Sequence, residues 1–166
     1  RATRVHGQFF HLRGMVYQAF LPGIHSREFA YQYPDPVVCV LDPHTRKPHW
    51  VLWAFLDRMD RLWVDRDLVC PGTLRELARE MILTEQRAGY KVRLRLIDPN
   101  YGRTPMIVTG RTVIDELRQP PFPVRFLEAN DAEEAGILKV KQLLHFNREQ
   151  PISLTNMPLL YFHQTR

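Results

Sequence analysis

The sequence predicts an α/β domain built on a mixed sheet, in which a three-stranded antiparallel meander is joined by parallel strands and flanked by helices. Three observations carry that prediction. An apolar run ending at Asp42, "WVLWAFL" at 50–56 and "RLWVDRDLV" at 61–69 follow one another at turn spacing, as paired antiparallel neighbours do. A well-capped amphipathic helix then separates this group from a fourth strand, "YKVRLRLI" at 90–97. A strand reached through a helix lies parallel to an earlier one, by a crossover connection, and here that partner is the first strand of the meander.

The bulk properties agree. At 166 residues, 45% of them hydrophobic, the chain can bury one real core. No apolar run approaches the roughly 18–20 residues of a membrane-spanning helix, and no signal-peptide pattern is present. The first residue is Arg1 rather than Met, which reads as a piece of a longer protein. Of the two cysteines, Cys39 sits inside the first apolar strand and reads as a small core residue, and neither has metal-ligand spacing. The net charge of +5 suits an anionic partner such as nucleic acid.

Taken in order, residues 1–34 are aromatic-rich and irregular and read as a lead-in arm or short strands. Residues 36–42 form the first strand. The segment "DRMD" joins the second and third strands, without the Asn-Gly type of hairpin signal. Thr73 and Glu76 form a capping box that opens the helix, and Gly89 closes it. Leu74, Leu77, Ala78, Met81, Ile82 and Glu85 follow its helical period, apolar until the last. On the fourth strand Val92, Leu94, Leu96 and Asp98 share one face, while Lys91, Arg93 and Arg95 share the other, read as solvated or at a helix edge. A short helix at about 112–118 precedes the proline-rich "QPPFPV". A longer helix at about 131–145 has Asn130 or Asp131 as its cap and Ile137, Val140, Leu143 and Leu144 on one face, and "PLLYF" at 158–162 is the last strand.

Two strands end in the same way. Apolar residues run directly into Asp42-Pro43 and into Asp98-Pro99. Because these strands are predicted to be parallel neighbours, about 4.8 Å apart, both carboxylates emerge at one sheet edge. Val38 and Val40 lead to the first, Leu94 and Leu96 to the second. Two carboxylates that close repel unless they share a cation or a proton. Two-metal phosphoryl-transfer sites hold their ions about 3.5–4 Å apart, a spacing that such a pair can serve. Asp-Pro is also a common turn opener after a strand, and that reading stands beside the metal one.

Four stretches carry a resemblance to a known family. "RVHGQFFHLRGMVYQAF" at 4–20, with His25 following, "LDPHTRKPHWVLWAFLD" at 41–57, "LIDPN" at 96–100 and "NDAEEAGILKVKQLLHFNREQPISLTNMPLLYF" at 130–162 resemble, in order and spacing, the nuclease domain of the large terminase subunit of tailed bacteriophages. The resemblance implies a ribonuclease H-like fold and a metal-dependent endonuclease that cuts concatemeric double-stranded DNA during genome packaging. It implies Mg²⁺ or Mn²⁺ as cofactor, with Asp42 and Asp98 as catalytic metal ligands and Asp42, on the central strand, as the bridging one. The implied partners are DNA, the portal protein and the small terminase subunit, and the implied place is the host cytoplasm, at the procapsid portal. The chain departs from the family in two respects. It has no G-x-x-x-x-G-K-[ST] loop, which places the family's ATPase domain upstream of Arg1. It also lacks the Asp-His-x-x-Asp pattern, which places the third acidic ligand beyond Arg166.

Other residues have open readings. Asp67, and Asp65 beside it, is an accessory ligand or a solvated strand end. His44 orients water, touches phosphate or does neither. Asp131 is a helix cap or the third acid. Arg46, Lys47 and Arg103 flank the aspartates on loops and either position phosphates or are plain surface charge. Two rival functions remain: another ribonuclease H-like nuclease of the resolvase or integrase type, and a non-catalytic DNA- or protein-binding module on the same fold.

Overall fold

In the computed structural model, the described residues are 16–29, 31–32, 35–44 and 46–164. Residues 1–15 of the lead-in arm, and so 4–15 of the 4–20 stretch, lie outside them. The described part of the arm holds a single helical turn, α1 (Pro22–His25), and a two-residue strand, β1 (Ser26–Arg27).

The meander forms from β2 (Val37–Asp42), β3 (His49–Leu56) and β4 (Leu62–Cys70), all antiparallel. The β3–β4 turn works without Asn-Gly because Asp57 organises it. Its carboxylate accepts the backbone N–H of Met59 at 2.8 Å and of Arg61 at 3.1 Å. It also takes Arg61 Nε at 2.6 Å and Trp63 Nε1 at 2.9 Å. Those bonds hold its pKa below the usual carboxylate value against burial, which alone would raise it. Asp60 supplies the left-handed residue at φ 57°.

Helix α2 (Leu74–Ala88) carries the expected capping box, with the Thr73 side chain accepting from Glu76 N–H, and ends on Gly89 at φ 67°. Only glycine adopts that left-handed closure without strain. Leu77, Ala78 and Met81 of α2 join Val37, Cys39, Leu41, Val51, Trp53 and Phe55 in the main core. Cys39 is a free, buried thiol whose pKa burial pushes far up, as a core residue should be.

The chain then enters β5 (Val92–Ile97), which lies parallel beside β2 as expected. It continues through α3 (Pro99–Gly102), α4 (Val113–Leu117), β6 (Leu127–Glu128), α5 (Glu133–Leu144) and β7 (Leu160–His163). The seven strands run in the order β1-β7-β4-β3-β2-β5-β6. Strand β7 adds parallel to β4 at the far side of the meander, and β6 parallel to β5 at the other.

Three details sharpen or correct the reading from sequence. Of the two settings open to Arg95, solvated or at a helix edge, it takes the second: it lies under α2, with Nη2 at 2.5 Å from Glu85 Oε2, while Glu85 Oε1 accepts from Trp53 Nε1 at 3.1 Å. Neither Asn130 nor Asp131 caps α5. The N-cap is Ala132, with no side-chain bond, and Asn130 Oδ1 instead accepts Ala132 N–H in the preceding turn. Asp65 is not a solvated strand end. It is the extra residue of a bulge in β4, buried, accepting from Tyr90 Oη and bonded to His163 Nδ1 at 3.0 Å.

A second cluster surrounds His25, which is fully buried. Its Nε2 donates to Leu144 O at 2.9 Å and its Nδ1 accepts Leu21 N–H at 3.0 Å. That histidine ties the end of the lead-in arm to the end of α5.

Candidate metal centre at the β2–β5 edge

The two aspartates close adjacent parallel strands. Leu41 pairs with Ile97, and the N–H of Asp98 donates to Leu41 O at 3.2 Å, so the backbone bond ladder runs right up to the carboxylates. Val40 faces Leu96 and Val38 faces Leu94, the register expected from the shared parity. The opposite face of both strands turns into the core under α2, with Cys39, Leu41 and Ile97 fully buried. Asp42 and Asp98 are therefore left on the open face, where carboxylates can stay solvated.

Their local surroundings differ. Asp98 is the N-cap of α3: its Oδ1 accepts the N–H of Asn100 at 2.7 Å and of Tyr101 at 3.2 Å, and Pro99 occupies the first helical position. Proline there gives up only an N–H that would be unpaired anyway. The Asp98-Pro99 pair thus has a structural reason of its own, and the Asp-Pro order is its signal in the sequence. Asp42 caps nothing. Its Oδ2 lies 3.3 Å from His44 Nε2, and its side chain is 53% exposed. The His44 ring meets Tyr101 edge-on at 5.3 Å, joining the residue after one aspartate to the helix capped by the other. His44 N–H donates to Nδ1 of buried His49 at 3.1 Å. Burial holds the His49 pKa below its usual value, outweighing a hydrogen bond to the Gly72 backbone that raises it.

The remaining candidates fall around this pair. Arg46 and Lys47 are exposed on the β2–β3 loop, next to Asp42 in the chain. Arg103, at the end of α3, is not free: its Nε and Nη2 bond both oxygens of Glu128 at 2.8 and 2.5 Å. Asp67 is exposed on β4 opposite Leu52, which itself pairs with Val40. That register puts it two strands and two residues from Asp42, about 12 Å away, too far to share an ion with it. Asp131 is exposed beyond β6. Among the described residues no group of three or more His, Cys, Asp or Glu side chains could hold a metal ion.

Asp42 Oδ1 and Asp98 Oδ2 are thus the unengaged oxygens of the pair. A hard divalent cation takes oxygen donors and tolerates several waters. The donor set fits such an ion, with the coordination completed by water or further acids.

No protein-family model matches the chain, and no curated protein matches it by sequence. Solved structures do match. The large terminase of a thermophilic bacteriophage superposes with a TM-score of 0.65 at 16% identity, over 95% of this chain and 36% of that one. The complex of that same terminase with ATP-γ-S gives a TM-score of 0.66 at 14% identity, over 90% and 34%. The P22 large terminase nuclease domain gives 0.62 at 12% identity, over 91% and 73%. The chain spans about a third of the length of the thermophilic phage terminase that it matches. At these identities the likeness is one of fold, a mixed seven-stranded sheet flanked by helices. More particularly, it is the fold of the P22 large terminase nuclease domain.

Proposed function

We propose that this chain is the metal-dependent endonuclease domain of a large terminase, which cuts concatemeric double-stranded DNA during genome packaging. One observation carries the reading: Asp42 and Asp98, far apart in sequence, close hydrogen-bonded parallel strands on the open face of the sheet. The fold shared with a terminase nuclease domain supports it.

In this reading Asp42 and Asp98 hold Mg²⁺ or Mn²⁺, and a third acidic ligand comes from beyond Arg166. Divalent ions at such sites activate water for in-line attack on a phosphodiester and stabilise the leaving oxygen. Asp98 holds one oxygen rigid against α3 and leaves the other for the ion. Asp42 projects from the more central strand with the freer carboxylate, which suits a bridging ligand. His44 steadies Asp42 Oδ2. Arg46 and Lys47 are placed to neutralise phosphates flanking the cut. The domain belongs to a longer protein with an ATPase domain upstream, working with the portal and the small terminase subunit at the procapsid in the host cytoplasm.

The test is cleavage of supercoiled plasmid by this chain and by a form extended through its natural C-terminus, each with Mn²⁺, Mg²⁺ or EDTA. The extended form is expected to nick with either ion and to stop in EDTA. Asp42→Asn is expected to abolish cutting while leaving the melting temperature in place. Full activity in that variant refutes the assignment. Metal-independent DNA binding with no cleavage in any form supports the non-catalytic rival instead.

A further inference from the structure

Trp50 is the cross-strand partner of Asp42 on β3. Residues directly opposite in a sheet share a face, with Cβ atoms about 4.5–5.5 Å apart. The indole therefore lies on the open face immediately beside the carboxylate. It is 50% exposed, whereas Trp53 and Trp63 are 0% and 4% exposed. Among the described residues it has no ring partner, and its N–H donates to no protein acceptor. Its other neighbour, Val69 of β4, is itself exposed at 43% and forms a low apolar flank. Arg46 and Lys47 stand on the loop just before it.

We propose that Trp50 is a nucleotide-contact residue, on which the nucleoside attached to the phosphate at Asp42 packs. The inference rests on the nuclease reading above and adds to it how the cut strand is held. Distance makes the contact hard to avoid. A phosphate held through a cation at Asp42 brings its own sugar and base within a few ångströms, and this ring is an exposed flat apolar surface on the neighbouring strand. Aromatic rings stack on any base, because every base has a π-face, so the contact is tolerant of sequence. Cations alongside the ring hold the backbone while the ring holds the nucleoside. Within a paired stretch the ring meets deoxyribose; where the strand is frayed or unpaired it meets the base itself.

The burial of the other two tryptophans makes the test clean, because quenching by iodide reports on Trp50 alone. The probe is a labelled duplex interrupted by a short unpaired stretch, titrated into this chain with Ca²⁺, a hard cation that takes carboxylate and phosphate oxygens alike, in place of Mg²⁺ or Mn²⁺ so that cutting stays slow. The expected result is that DNA quenches the exposed indole and closes it to iodide. Trp50→Leu, which keeps apolar bulk but removes the π-face, is expected to bind about ten-fold more weakly. Trp50→Phe is expected to retain most of the affinity, and both variants to melt with the wild type. Unchanged affinity in Trp50→Leu, or an indole still open to iodide in the complex, overturns the proposal. So does an indole closed to iodide before DNA is added, which indicates cover by polypeptide. A wild-type chain that binds no DNA overturns this proposal and the nuclease reading together. Loss of cutting in Asp42→Asn with unchanged binding in Trp50→Leu upholds the nuclease reading and sinks only this one.

Discussion

Asp98 is asked to do two things at once, and substitutions can separate them. Its Oδ1 caps α3 by accepting two N–H groups, at 2.7 and 3.2 Å. Its Oδ2 is the proposed ligand. Asparagine keeps an oxygen where Oδ1 stands and removes the charge, so Asp98→Asn should keep both cap bonds. The charge lost at the N-terminus of a four-residue helix is worth a few tenths of a kcal/mol. Alanine removes the acceptor. The cap bonds are partly solvent-exposed, so water replaces some of their value, and the cost should be about 1 kcal/mol. For a domain of this size that lowers the melting temperature by roughly 2–4 °C. Differential scanning calorimetry on the wild type and both variants, beside a plasmid-nicking assay with Mn²⁺, reads the two roles independently. Both variants should fail to cut, and only Asp98→Ala should lose stability. Cutting at the wild-type rate by Asp98→Asn would refute the ligand assignment. Equal destabilisation of the two variants would refute the cap.

Other expectations concern the rest of the site and its frame. Asp57→Ala orphans buried Trp63 Nε1 and strips Arg61 of its partner. It should cost about 2–4 kcal/mol, seen as a drop of at least about 5 °C in melting temperature, and an unchanged melt would mean that the β3–β4 turn does not depend on this carboxylate. His49 has its pKa held below the usual value, so the folded chain refuses a proton that the unfolded chain accepts. Its contribution to stability is therefore intact at neutral pH and falls as pH drops below about 6.5. In His49→Gln, urea midpoints should show a shallower decline on that acid side, and an identical decline would contradict the assignment. DNA binding by this chain in EDTA should weaken steeply as salt rises, whereas a flat salt profile would argue against phosphate contacts. Calorimetric titration with Mn²⁺ should show tighter binding by the C-terminally extended form than by this chain. Equal affinity would mean that the third acid is already within these residues.

The meander, the crossover through α2 and the pairing of the two aspartate strands are all legible in the sequence, because each rests on local periodicity and turn spacing. The alternation Val38, Val40, Asp42 against Leu94, Leu96, Asp98 is enough to set a register that the backbone pairing reproduces. Features made by contacts distant in sequence are not legible. The place of Arg95 depends on Glu85 arriving from α2, and the burial of Asp65 depends on Tyr90 and His163. Alternation alone therefore leaves Arg95 between water and a helix edge, and Asp65 between a ligand position and a solvated strand end. The α5 cap misleads because Asn130 and Asp131 are good capping residue types, but Asn130 bonds one turn early and the helix starts on Ala132. Trp50 escapes notice for a different reason. Its composition reads as core, and only the register shows it standing on the open face beside Asp42.

The seam between β2 and β5 also bears on when the site comes into existence. The Asp98 N–H to Leu41 O bond joins segments separated by the whole of β3, β4 and α2. Parallel pairing of that kind has to wait for loop closure across a long stretch of chain, and such contacts form slowly. Until the seam zips to its last rung, the two carboxylates are strangers in solution, and a collapsed intermediate with an intact meander and α2 should be chemically silent. Recovery of metal-dependent nicking during refolding should then lag behind recovery of secondary structure, which makes the catalytic act itself a clock for the last strand pairing to form.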